Sequence, residues 1–164
     1  MTYYYSNGGT ITLGKELAQG GEGVVYEVDD SHVAKIYFDP QGRLEKMLAF
    51  KGKALKIKGV CTPLDLLYDV NHNFCGFTME KAGGKSLQTS IFQPKLFKTN
   101  FPNWTKVELT KLALSILDKV KVLHSNNILI GDINPYNINV VDYNDIYFLD
   151  TDSFQVDGFP CPVG

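Results

Sequence analysis

The stretch GDINPYNINV, Gly131 to Val140, followed by FLDTD, holds the side chains best suited to chemistry in this chain. It sets out Asp132-x-x-x-x-Asn137 and then Asp150 at the end of an apolar run, the layout of a phosphoryl-transfer site. Phosphoryl transfer asks a protein for positioning and charge neutralisation more than for covalent chemistry. Asp132 can orient and deprotonate an attacking hydroxyl, while Asn137 and Asp150 can hold Mg²⁺ ions that bridge the phosphates of ATP.

These residues need elements to hold them. Thr105 with Glu108 forms a capping box, and Leu109, Leu112, Ile116, Val120 and Leu123 recur at helical spacing, which predicts one long, largely buried helix before the loop. After it, Asn139 to Asp142 and Ile146 to Leu149 read as short strands joined at Asn144-Asp145. From Ile11 to Phe38, alternation broken by Gly- and Asp-rich turns predicts three antiparallel strands. A helix opening at Asp39-Pro40 and ending at Gly52 follows, with Leu44, Met47 and Leu48 on one face. Leu64 to Tyr68 and Phe74 to Met79 read as a further strand pair, and Gly83-Gly84 as a linker. Leu87 to Pro102 shows no clean period and reads as a short helix plus loop.

Composition sets bounds. The 164 residues, 44% hydrophobic, suit one compact domain or two small lobes sharing a cleft. No apolar run is long enough to span a membrane and the N-terminus carries no signal-like segment, so a soluble, cytoplasmic protein is expected. Cys61, Cys75 and Cys161 lie far apart without a C-x-x-C pair, which suits thiols in a reducing compartment. A net charge of −2 gives no general attraction to nucleic acid. The basic run Lys46, Lys51, Lys53, Lys56 and Lys58 reads as a solvated helix edge.

Taken together and in order, the motifs resemble the protein kinase superfamily, and in particular bacterial Ser/Thr kinase-like domains that carry D-x-D-S-F in place of D-F-G, some of them fused to helix-hairpin-helix DNA-binding modules. The resemblance implies an α+β, bilobal fold. Residues 1–84 would form a five-stranded antiparallel N-lobe with the hinge, and residues 85–164 a truncated, mainly helical C-lobe. In LAQGGEGVVYEV, Gly20, Gly21 and Gly23 would let backbone N–H groups approach phosphates and Val25 would cap the adenine, although such hairpins are also common turns and Ala18 stands where the family has its first glycine. Lys35, sharing a face with Val33 and Tyr37, would contact the α- and β-phosphates, and Glu45 on the next helix would hold its ammonium unless it is simply a solvated partner of Lys46 or Lys51. Met79 would be the gatekeeper, with backbone groups of Glu80 and Ala82 bonding adenine. Asp132, Lys35 and Asn137 would be catalytic, and Asn137 and Asp150 the metal ligands.

The departures from the family pattern are specific. Ile130-Gly131 replaces His-Arg, which removes the partner of an activation-loop phosphate. Asn134 replaces a lysine, Thr151 replaces the phenylalanine after the metal-binding aspartate, and Asn139 replaces an apolar residue beneath the adenine. The chain stops at PCPVG, before the family's peptide-binding helices, so weak transfer to peptides by this chain alone is expected, with a partner chain or missing C-terminal sequence supplying the platform and apolar surface on the long helix favouring association with itself or another protein. The leading expectation is an ATP- and Mg²⁺-dependent protein-serine/threonine kinase. A pseudokinase or nucleotide-binding regulatory module, and a small-molecule kinase of the aminoglycoside or choline type, are the alternatives; nucleic acid enters only through a separate module.

Overall fold

Tyrosine-rich Thr2–Tyr5 (β1) turns through Asn7 and Gly8 into Thr10–Thr12 (β2), and the Tyr5 amide closes the hairpin on the Gly9 carbonyl at 2.8 Å. Gly8 adopts a φ of +84°, which costs a residue without Cβ nothing. The computed structural model, which describes residues 1–55 and 57–162, continues with Glu16–Gln19 (β3), Gly23–Glu27 (β4), His32–Tyr37 (β5), helix Leu44–Gly52 (α1), Leu66–Tyr68 (β6) and Phe74–Glu80 (β7). All seven strands form one antiparallel sheet in the order β2-β1-β6-β7-β5-β4-β3. Five strands were expected. The two extra ones are the N-terminal hairpin, which joins the free edge of β6 through Tyr4 opposite Tyr68.

Strand alternation gives this sheet two apolar faces. One gathers Tyr3, Ile11, Leu13, Ala34 and Leu67. The other gathers Tyr37, Leu66, Phe74 and Phe77 under Met47 of α1, with Leu44 and Met79 packed against them. Helix α1 begins at Leu44, later than Asp39-Pro40, because Asp39 caps a turn of its own by accepting from the Gln41 amide at 3.0 Å.

The chain forms two compact units, Met1–Leu55 with Thr62–Lys81, and Lys56–Cys61 with Ala82–Gly164. The second contains Lys85–Ser86 (β8), Leu87–Ser90 (α2), Pro94–Asn100 (α3), Lys106–Ser125 (α4), Ile128–Leu129 (β9), Ile138–Asp142 (β10), Asp145–Phe148 (β11), a 3₁₀ turn at Thr151–Ser153, and Gln155–Val156 (β12). Strands β11, β10 and β8 form one small sheet and β12 pairs with β9. The unit holds more helix than strand, with β8, β9 and β12 in addition to the two strands expected, and the segment from Leu87 holds two short helices where one is expected.

Helix α4 starts at the capping box: the Val107 amide donates to Thr105 Oγ1 at 3.1 Å, and Thr105 N–H donates back to Glu108 Oε2 at 2.7 Å. Its expected burial is corrected. Leu112 and Leu123 are buried, whereas Val107, Leu114, Leu117 and Val122 are exposed, since an apolar period reports a face and not what covers it. Among the described residues no helix is long and apolar enough to cross a membrane. The basic run does not act as one edge: Lys51 pairs with Asp65 at 2.9 Å, Lys58 with Asp145 at 3.4 Å, and Lys56 lies outside the described residues.

Candidate functional site

In the first unit, register decides which side chains share a face. Val25 lies opposite Lys35 and Lys35 opposite Phe77, while Val33 lies opposite Met79, so Val25, Val33, Lys35 and Met79 occupy one side of β4, β5 and β7. Lys35 is 8% exposed, with Nζ 5.5 Å from the centroid of the Tyr37 ring and 3.6 Å from Glu22 Oε2. Glu45, the expected partner, is exposed instead. Its helix turns Met47 and Phe50 inward, which directs residue 45 to solvent.

Glu22 is a residue the sequence reading passed over, because it precedes Lys35 and sits among the glycines. Arg43 grips it at two points, Nη2 to Oε1 at 3.0 Å and Nη1 to Oε2 at 3.2 Å, and the Arg43 guanidinium lies 4.6 Å over the Tyr37 ring. The hydrogen bond from Arg43, then the nearby charge of Lys35, holds the Glu22 carboxyl below its usual range despite partial burial.

The three glycines differ in what they do. Nothing approaches Gly21, and Gly20 donates its amide to the Gly23 carbonyl at 2.9 Å, so both leave open space at the tip of the turn. Gly23 is required by the sheet: a Cβ there would land on the backbone carbonyl of Ile36. At the far end of β7, Glu80 lies opposite His32 and the Lys81 amide donates to Ser31. Ala82 begins the second unit, where Asn139 Nδ2 donates to the Gly83 carbonyl at 3.1 Å. Gly84, at φ +74°, passes so close to Val140 that no side chain fits.

In the second unit, the segment between β9 and β10 folds as a tight turn. Asn134 Oδ1 accepts from the Tyr136 amide at 2.9 Å, and the Asn134 carbonyl accepts from the Asn137 amide at 2.9 Å. The Asn137 carbonyl accepts in turn from the Leu149 amide at 2.8 Å, which fixes residue 137 beside the chain leading into Asp150. Asp132 borders a cavity of about 80 Å³ whose walls are mostly apolar, including Ile116, Val120, Ile130, Ile138 and Phe154.

Asp150 takes the left-handed conformation, φ +53° and ψ +37°, a region aspartate tolerates better than most residues. Its carbonyl accepts from both the amide and the hydroxyl of Ser153, at 3.1 and 2.7 Å. Carboxylate oxygens of Asp150 and Asp152 lie within 4.8 Å of each other, and Asp152 is buried. Such hard oxygen donors suit a divalent cation such as Mg²⁺ by ligand type. Thr151 is buried and bonds the Cys61 carbonyl.

Gly131 also has a structural cause. A Cβ on it would fall on the Cβ and Sγ of Cys161, so the glycine makes room for a side chain from beyond β12. No local pattern in the sequence links residues this far apart.

No protein-family model matches this chain. Over 162 residues, 94% of its length, it is 29% identical to "Protein kinase YegI" of Escherichia coli O157:H7. Over 160 residues, 93% of its length, it is 29% identical to "Protein kinase YegI" of Escherichia coli strain K12. Each match takes in 25% of the relative, so the chain spans about a quarter of the length of the curated relatives it matches. The similarity is thus to proteins named as kinases, at modest identity and over nearly the whole chain.

Proposed function

We propose that this chain carries the nucleotide-binding and catalytic residues of an ATP- and Mg²⁺-dependent phosphotransferase acting on Ser or Thr hydroxyls of proteins. The observation that supports the reading is the turn in which the Asn134 carbonyl accepts from the Asn137 amide and the Asn137 carbonyl accepts from the amide of Leu149, the residue before Asp150. Similarity to proteins named as kinases supports it.

In this reading Val25, Val33 and Met79 contact the adenine, backbone groups of Glu80 and Ala82 bond its edge, and Lys35 neutralises phosphate charge. Gly20 and Gly21 leave the tip of the turn open for phosphate oxygens. Asp132 orients the acceptor hydroxyl and receives its proton as the oxygen attacks the γ-phosphorus of ATP and the bond to the bridging oxygen breaks, releasing ADP. Asn137 and Asp150 would hold Mg²⁺, which supplies neutralisation of the phosphate charge when bound. Asn134 offers a neutral hydrogen bond where a lysine would add charge.

A small-molecule acceptor is the second reading, favoured by the loop form G-D-x-x-P-x-N at Gly131 to Asn137. One experiment serves both: thermal unfolding with ATP, with and without Mg²⁺, followed by radiolabelled transfer to mixed proteins and to aminoalcohols. Nucleotide at a hundredfold over its dissociation constant should stabilise the fold by about 2.7 kcal/mol. Absence of any Mg²⁺-dependent shift would end the proposal, and label on aminoalcohols alone would select the second reading.

A further inference from the structure

Helix α4 carries two apolar stripes, and the core of its unit takes up one of them. Leu112 and Leu123 are buried, whereas Val107, Leu114 and Leu117 stand 57, 54 and 45% exposed on another face. Val107, Thr110, Leu114, Leu117 and Lys121 follow one another at alternating steps of three and four residues, the spacing of the a and d positions of a heptad. We infer that this second stripe is a docking face for another copy of the chain, whose own α4 lies along it antiparallel about a twofold axis.

A helix suits the stripe in shape. The Thr110 hydroxyl donates to the Lys106 carbonyl at 2.8 Å, so it asks nothing of a partner. Ala113, exposed one turn before Leu117, leaves room for a second backbone at close range. In the twofold arrangement Leu114 packs on the partner's Leu117. Thr110 lies by the partner's Lys121, whose aliphatic stem covers apolar surface while its ammonium reaches water.

Charge selects both the occupant and its direction. Lys111 and Asp118 stand seven residues apart on one flank of the stripe, each at position e of its heptad. Turning the second helix end for end brings like flanks together, so Lys111 faces the partner's Asp118, and the twofold axis makes that pair twice. A parallel partner would instead set Lys106 against the partner's Lys111, like charge on like. Both side chains lie at the surface: Lys111 rests with Nζ 4.9 Å from the centroid of the Tyr143 ring, and Asp118 makes an exposed pair with Lys121 at 3.9 Å, of the kind that water screens. A partner of one sign would meet its like at Lys111 or at Asp118, whereas a copy of the chain matches both.

The test is sedimentation equilibrium of the whole chain over a range of concentrations, with thermal unfolding of every variant as a check on folding. Wild type should pass from monomer to dimer as concentration rises, and Leu114→Gln should stay folded and monomeric. Lys111→Glu and Asp118→Lys should each weaken the dimer at least about tenfold, since each sets like charges together twice. Mixed in equal amounts, these two variants should associate as a heterodimer close to the wild-type affinity, because each then supplies the charge that the other lacks. A wild type that stays monomeric throughout overturns the inference and gives the face to a different partner. So does a mixture no tighter than either charge variant alone, or an undiminished dimer in Leu114→Gln, either of which would place self-association elsewhere.

Discussion

Thr151 lies fully buried and donates its hydroxyl to the carbonyl of Cys61 at 2.6 Å. A short polar side chain therefore follows Asp150, and the peptide after the acidic residue is pinned to Cys61 of the same unit. Its neighbours Asp152, Ser153 and Phe154 are buried as well, so the whole turn is fixed by packing and hydrogen bonds together.

Thr151→Val keeps the shape and removes the donor, so it should lower stability by about 1–2 kcal/mol. Thr151→Ser should recover most of that loss. Urea unfolding of the three proteins measures both; equal midpoints for threonine and valine would mean the hydroxyl contributes nothing.

Gly131→Ala should destabilise by about 1–3 kcal/mol, because its Cβ meets the Cys161 side chain. The pairing predicts its own suppressor. Cys161→Gly should restore Gly131→Ala towards wild-type stability, whereas Cys161→Ala should not, since the clash involves Cβ as well as Sγ. A double-mutant cycle in which both second changes act alike would contradict the contact.

Among the glycines of the first turn, Gly23→Ala should destabilise the protein without any ligand, and Gly21→Ala should not. Ile36 blocks the first position and open space surrounds the second. Any effect of Gly21→Ala should instead show in nucleotide affinity, so calorimetric melting and ATP titration separate the two roles.

Asp150→Ala should abolish Mg²⁺-dependent nucleotide binding, and chelation of the metal should reproduce that loss in the wild type. Asp132→Asn should bind nearly normally and transfer nothing, because in the proposed reaction residue 132 acts on the acceptor hydroxyl and not on the nucleotide. Calorimetry showing equal affinity in wild type and Asp150→Ala would remove residue 150 from the metal site.

Two groups predict the edges of the pH range. The Ser31 amide, then the His32 side chain, lower the Asp29 carboxyl from 3.8 to about 2. Its stabilising effect is present above 3.8 and is lost as pH falls through about 2. At the other edge, burial pushes the Cys75 thiol from 9.0 up to about 11, with the charge of Asp69 adding to it. That contribution is complete below 9.0 and disappears as pH rises through about 11. Melting curves of Asp29→Asn and Cys75→Ser against pH should flatten the acid and alkaline limbs respectively.

Features encoded within a few residues were legible from sequence. The capping box at Thr105 and Glu108, the β10–β11 hairpin and the placement of Lys35 on a strand after the glycine turn are all local. The β1–β2 hairpin was missed although its signal is present, an aromatic run followed by Asn7-Gly8 and TIT. Glu22 could not be read as the neighbour of Lys35, because the curl of one hairpin and the reach of Arg43 bring them together. Cys161 against Gly131 is a further contact that only the folded chain creates.

The short segment before Thr62 bears on how this protein can be cut. Gly59 accepts from the Phe148 amide at 2.7 Å, the Cys61 amide returns a bond to Phe148, and Val60 lies beside that strand as a parallel bridge. The chain therefore lends a piece of its first half to the second unit and then goes back. A fragment ending at Lys81 would carry Val60 and Cys61 as an unclaimed apolar loop, and one starting at Ala82 would lack the backbone that borders β11. Expression of the halves as separate genes should give insoluble or proteolysed material, whereas a nick at the exposed tip around His72 leaves every strand with its neighbours.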